Sequence, residues 1–194
     1  AVIDGYCPLP EGVTNVRTDD RGGGYLMGKY LLKQGHRDLL FLTDNDESVD
    51  HERWLGVKDA LEEEQVGDAA SRHILVSQDP SKRRRQYREM LPFFRQQSVL
   101  FFASDLYAVE ALNFLQDQGI RVPQDVSVAG FDDVAYAKLS RPALTTVRQN
   151  VGEKARRSVD ALIGKMNGET VGTEYRISTL LVERDSVSAT LQTD

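Results

Sequence analysis

The sequence predicts an α/β protein built on doubly wound parallel sheets. Three observations predict it: uninterrupted apolar runs at residues 39–43 and 99–103, longer helical patterns between such runs, and alternation of the two along most of the chain. An apolar run without polar alternation suits a strand buried on both faces, as parallel sheets require. Helical patterns between such runs give right-handed βαβ units. In order, residues 1–4 read as a short apolar strand. Residues 22–34 read as a helix with Leu26, Met27, Tyr30 and Leu31 on one face and Gly35 just past its end as a cap. A strand at 39–43 precedes a helix at 52–64, where Trp54, Val57 and Leu61 are spaced for burial. A strand at 74–76, a charged helix at 81–97 and a strand at 99–103 follow. A helix at 106–118 is closed by Gly119, and strands at 126–130 and 145–148 precede a helix at 151–166. The last strand is expected at 178–183.

Composition narrows the function. With 194 residues, 40% hydrophobic and 28% charged, the chain has ordinary globular usage and enough length to bury a core without staples. Its 24 Lys and Arg against 30 Asp and Glu leave a net charge of −6, unsuited to binding nucleic acid by itself. Cys7 is the single cysteine, so no intrachain disulfide and no cysteine-based metal site can be assembled. His36 and His73 are isolated and no two histidines have metal-ligand spacing, so neither a metal nor a cofactor is expected. No apolar run has membrane-spanning length. The run Gly22, Gly23, Gly24 does not follow a strand in phosphate-binding order and reads as a connecting loop. No nucleophile elbow, P-loop or catalytic dyad is present, so the chain does not read as an enzyme.

Doubly wound sheets bind ligands beyond the carboxyl ends of their strands. Those ends carry Asp4, Asp44 and Asn45, Ser104 and Asp105, and Asp132 and Asp133. A rim of carboxylates and hydrogen-bonding side chains suits a polyhydroxylated ligand, since each group can accept from adjacent hydroxyls.

Val16 to Tyr25, Tyr30 to Arg37, Ala103-Ser104-Asp105 with Leu106, Tyr107 and Ala108, Arg121 to Asp133, Pro142 to Gln149, and Val182 to Ser186 together, in this order, resemble the LacI/GalR family of transcriptional regulators. The resemblance implies a periplasmic-binding-protein-like core of two lobes that binds a small sugar or sugar-phosphate effector between them and modulates DNA binding. It implies an incomplete N-terminal lobe, with residues 1–20 ending that lobe's opening segment, 21–142 forming the C-terminal lobe, 143–172 returning to the N-terminal lobe and 173–194 rejoining the C-terminal one. DNA would be reached only through a helix-turn-helix head absent from this chain. A homodimer in the cytoplasm is implied, with Val109, Leu112 and Phe114 of the helix at 106–118 supplying part of the interface. A periplasmic sugar-binding protein of a transport system is the competing reading.

The resemblance carries five ligand contacts onto this chain: Asp4, Arg53, Ser104, Asp132 and Gln149. Each has a plainer alternative. Asp132 is either an acceptor for effector hydroxyls or a helix-capping carboxylate. Arg53, at the start of its helix, is either a fork for two ligand hydroxyls or a ligand carboxylate, or a surface arginine. Asp4 is a ligand contact or a turn residue. Gln149 is a contact or a hinge residue. Ser104 stands where the family has Asn and offers a shorter single hydroxyl, which puts the family contact in doubt or implies a different sugar. Asp105 is expected to cap the helix after it, and Asp133 the short helix that follows. Residues 79–82 lack the aromatic that many sugar-binding members place there; Lys82-Arg83-Arg84-Arg85 either greets an acidic or phosphorylated sugar or is a solvated helix face. These cations sit unfavourably at a helix N-terminus, and compensation from Asp79 or an anion is expected.

Overall fold

The computed structural model describes residues 2–6, 9–67, 71–95 and 98–190. Residues 1, 96 and 97, which the predicted strand and helix included, lie outside them, as do Cys7 and 191–194. The elements run β1 (Val2–Ile3), β2 (Asn15–Thr18), α1 (Asp20–Lys33), β3 (Leu39–Thr43), α2 (Ser48–Glu63), β4 (Ser71–Leu75), α3 (Pro80–Phe94), β5 (Val99–Phe102), α4 (Asp105–Asp117), β6 (Ser127–Asp132), α5 (Ala135–Leu139), β7 (Thr145–Arg148), α6 (Val151–Met166), β8 (Glu174–Ile177) and β9 (Leu180–Val182).

The strands form two sheets. The larger is ordered β4-β3-β5-β6-β7-β9, parallel except for β9, and the smaller is β1-β2-β8, all parallel. The apolar strands of the larger sheet feed a core on each face. Leu40, Leu42, Leu100, Phe102 and Val128 pack with Tyr87 and Phe94 of α3 and Ala111, Leu112, Phe114 and Leu115 of α4. The alternate residues Leu39, Phe41, Phe101, Ala129 and Phe131 pack with Met27 and Leu31 of α1 and Val57, Ala60 and Leu61 of α2. Burial of both faces explains why these strands show no polar alternation.

Helix ends follow local chemistry. Asp79 caps α3 by accepting from the amides of Ser81 and Lys82 at 2.9 and 3.0 Å, with Pro80 in the first turn, so the expected compensation of the adjacent cations comes from Asp79. Gly35 and Gly119 follow α1 and α4 in left-handed conformations (φ 90° and 72°) that a side chain would strain. Gly22, Gly23 and Gly24 lie in the first turns of α1 rather than in a loop. A β-carbon on Gly24 would stand 2.0 Å from the Arg53 carbonyl, and one on Gly56 1.9 Å from that of Arg21. These glycines therefore let α1 and α2 touch backbone to backbone.

The lobe boundaries differ from expectation. Thr145–Arg148 pairs with Ala129–Asp132 in the larger sheet, so the chain leaves that lobe after Arg148, not at 143. Glu174–Ile177 pairs with Asn15–Thr18 in the smaller sheet, so the final return comes after Ile177, not at 173. The expected strand at 178–183 is β9 alone, with β8 before it in the other sheet.

Candidate functional site

The strands of both sheets that carry the rim residues are parallel, so their carboxyl ends gather one set of polar side chains. The chain crosses between lobes after β2, after β7 and after β8, and each crossing lies beside that set. β3 and β5 are neighbours while β4 lies on the far side of β3, which places the switch point of the larger sheet between Asp44 and Ser104.

All five expected residues join one network. Asp132, at the end of β6, accepts from the Gln149 amide at 2.7 Å and from the Ser104 hydroxyl at 3.3 Å, with the Arg53 guanidinium 3.9 Å away. Gln149 in turn accepts from Thr18 Oγ1 at 2.8 Å and Lys154 Nζ at 3.2 Å. Lys154 completes its three donors on Thr18 Oγ1 at 3.0 Å and on Asp4 at 2.6 Å. Asp4 also accepts from the Thr18 amide at 3.0 Å. Asp4 and Asp132 both adopt positive φ, 52° and 121°, backbone that costs energy outside glycine and recurs at functional sites.

Arg53 is buried and lies in the second turn of α2, which starts at Ser48 rather than at 52. Its Nε donates to Asp20 at 2.8 Å and its Nη1 to the Ala103 carbonyl at 2.6 Å, and its guanidinium lies 3.8 Å from the centre of the Phe131 ring. It is thus fixed on three sides rather than waving at a surface. Tyr6 donates to the other oxygen of Asp20 at 2.5 Å, and burial, reinforced by that carboxylate, pushes the phenol upward. Burial raises Asp132 above the ordinary carboxylate range against the pull of Arg53, Gln149 and Ser104. Asp50 is raised by burial too, against its Thr43 hydrogen bond and Arg53, with Asp44 and Asp132 adding to the rise.

Two capping expectations are corrected. Ser104 caps α4, its hydroxyl accepting from the Leu106 amide at 3.3 Å. Asp105 is fully buried and instead accepts from Thr146 Oγ1 at 2.6 Å and the Val134 amide at 3.0 Å, tying α4 to β7 and α5. Burial raises it to about 7. Asp133 makes no cap on α5; it pairs with Arg148 at 2.6 Å and with Arg184. Burial pushes its carboxyl up, but the two guanidiniums outweigh that and hold it low.

The basic run near residue 82 is largely committed within the fold. Arg83 is buried, paired with Glu110 at 2.6 Å and bonded to the carbonyls of Ser77 and Gln78, while Arg84 pairs with Asp117 at 2.7 Å. Leu112 and Phe114 are buried in the intramolecular core, so they cannot face a partner as expected. The sequence reading missed Asp20, Thr18, Lys154 and Tyr6. The carboxylate of Asp20 two residues before a run of three glycines was the one local signal; Lys154 gave none. Among the described residues, no group of three His, Cys, Asp or Glu could hold a metal, and no helix is long and apolar enough to cross a membrane.

The comparisons with known proteins bear on the fold and the family. The periplasmic binding protein-like domain family matches residues 29–187. The HTH-type transcriptional repressor PurR of Pectobacterium atrosepticum is 30% identical over 171 residues, covering 86% of this chain and 49% of the relative. The chain spans about half the length of the curated relatives it matches, which are named as repressors, not enzymes. A LacI-family regulator from Enterococcus faecium with bound ribose superposes with TM-score 0.85 at 26% identity, over 94% of this chain and 69% of that one. The lac repressor dimer bound to operator superposes with TM-score 0.79 at 26% identity, over 90% of this chain and 61% of that one. The chain therefore belongs to the periplasmic binding protein-like domain family, in the form that LacI-family regulators use as their effector-binding domain.

Proposed function

We propose that this chain is the effector-binding and dimerisation core of a LacI-type repressor and takes a small sugar or sugar-like ligand between its two lobes. The observation that carries the reading is the unbroken polar network from Asp4 in one lobe to Arg53 in the other, at the carboxyl ends of both sheets. In the proposed mechanism Asp132 accepts from ligand hydroxyls, Ser104 and Gln149 exchange their bonds to Asp132 for bonds to ligand, and Arg53 and Asp4 frame the two sides. A ligand that binds the closed arrangement of lobes more tightly shifts the population toward it, and the shift is limited by that difference in affinity. DNA would be contacted through a helix-turn-helix head outside this chain, in the cytoplasm. The ribose-bound relative supports the sugar class.

Homodimer formation belongs to the same proposal. Leu106 at the start of α4 and Tyr136 and Leu139 of α5 are exposed apolar side chains on touching helices, Leu139 at 74% exposure. They replace the buried Leu112 and Phe114 as interface candidates. The test of the function is a thermal melt of this chain with sugars, sugar phosphates and nucleobases, since a ligand that binds the native state raises the midpoint by mass action. A ligand-specific rise that Asp132→Ala abolishes is the expected result. A response that survives Asp132→Ala unchanged would overturn the assignment of this site.

A further inference from the structure

The proposed effector site is lopsided in charge, and the imbalance bears on which ligands it admits. Five carboxylates, those of Asp4, Asp20, Asp44, Asp50 and Asp132, share two cations. Lys154 is spent: its three donors are placed on Asp4, Thr18 and Gln149. One guanidinium serves three of the remaining carboxylates, with Arg53 at 2.8 Å from Asp20, 3.5 Å from Asp50 and 3.9 Å from Asp132. Asp44 has only the Tyr107 hydroxyl, at 2.6 Å, among the described residues. Two further cations are already held: Arg83, over the Tyr107 ring at 4.4 Å, by Glu110 and two backbone carbonyls, and Arg148, in register with Asp132 on β7, by Asp133 at 2.6 Å. Among the described residues, every cation named here is already paired with a carboxylate, whereas accepting oxygens of Asp44, Asp50 and Asp132 remain available to donors. Like charges held this close repel, and a bound anion would add to the repulsion while a bound ammonium would relieve it.

We propose that the interlobe site excludes anionic ligands and favours a polyhydroxyl ligand bearing an ammonium group over its neutral counterpart. This rests on the interlobe reading above and narrows it, setting aside the phosphorylated sugar that the basic run near residue 82 suggested. The discriminating set keeps one ring and changes its charge: glucose, glucosamine and glucose 6-phosphate, with inorganic phosphate as a fourth probe, each melted with this chain at matched ionic strength. The expected order has glucosamine stabilising at a roughly fivefold lower concentration than glucose, in keeping with the greater strength of charge-assisted hydrogen bonds. Glucose 6-phosphate and inorganic phosphate are expected to leave the midpoint where sodium chloride leaves it. A specific rise with either phosphate, or glucose acting at lower concentration than glucosamine, overturns the proposal. A second measurement decides it independently of ring stereochemistry. Asp50→Asn and Asp132→Asn, melted without ligand, should each raise the midpoint by relieving like-charge repulsion; no rise in either contradicts the proposal. A rise in both variants with no response to any of the sugars would uphold the charge argument and count against the sugar-binding reading instead.

Discussion

The two lobes are built from the same kind of unit and stabilised by different means. The six-stranded lobe carries helices on both faces, and its strand residues alternate between two apolar cores. The three-stranded lobe has α6 against it, and α6 turns Lys154, Ser158, Ala161 and Gly164 inward while Val159, Leu162, Ile163 and Met166 lie exposed, Met166 at 85%. Polar side chains connect it to the larger lobe: Lys154 donates to Gln149, Gln149 donates to Asp132, and Tyr6 donates to Asp20. The difference teaches that hydrophobic burial holds the scaffold of the site, while hydrogen bonds and charge hold the face a ligand would meet.

The contrast can be broken most forcefully by deleting a core ring. Phe101 is fully buried and edge-on to Phe41 at 5.3 Å, so Phe101→Ala should cost about 3–5 kcal/mol in urea denaturation. Leu162→Ala on the exposed face of α6 should change stability by no more than about 0.5 kcal/mol. Equal losses would show that α6 is covered in solution. Next is the buried pair. Arg53→Met strands Asp20, whose side chain is fully buried, and should cost about 3 kcal/mol. Adding Asp20→Asn should restore part of that loss, which a double-mutant cycle measures.

A pH-dependent term acts within the larger lobe. Burial places the Asp105 carboxyl at about 7, above its value of about 3.9 in an unfolded chain. Between those values the native state binds more protons than the unfolded one. Stability contributed by this group therefore falls as pH rises from about 4 to about 7 and is level above that range. The total is on the order of a few kcal/mol, and Asp105→Asn should flatten this part of the pH profile of the urea midpoint. An unchanged slope would place the titration elsewhere.

How much of this was legible in the sequence depends on the range of the interaction. The fold class was legible because Leu39–Thr43 and Val99–Phe102 are buried on both faces and need apolar residues at each position. The helix ends at Gly35 and Gly119, and compensation of the α3 cations by Asp79, were legible because each acts within a few residues. The five rim residues were found through family resemblance, and the structure brings them into one network. What was not legible is pairing at a distance: Asp20 with Arg53 is 33 residues apart, and Lys154 with Asp4 is 150. The misplaced caps have a local cause. Ser104 and Asp105 are both good capping residues, and only the approach of Thr146 and Val134 draws Asp105 inward. The strand β8 was missed because Glu174-Tyr175-Arg176-Ile177 carries exposed charges at Glu174 and Arg176 and forms no apolar run.

Native-state hydrogen exchange on Gln149→Ala tests the central claim most directly, because Gln149 links Thr18 and Lys154 of the smaller lobe to Asp132 of the larger. Local opening and global unfolding are separated by such measurements. Amides of Val16, Arg17 and Tyr175 should lose protection, by about 1 kcal/mol for a lost hydrogen bond, while Leu40, Phe101 and Val128 keep theirs. Equal loss of protection in both sheets, or none in the smaller one, would contradict a smaller lobe held to its scaffold by the polar rim.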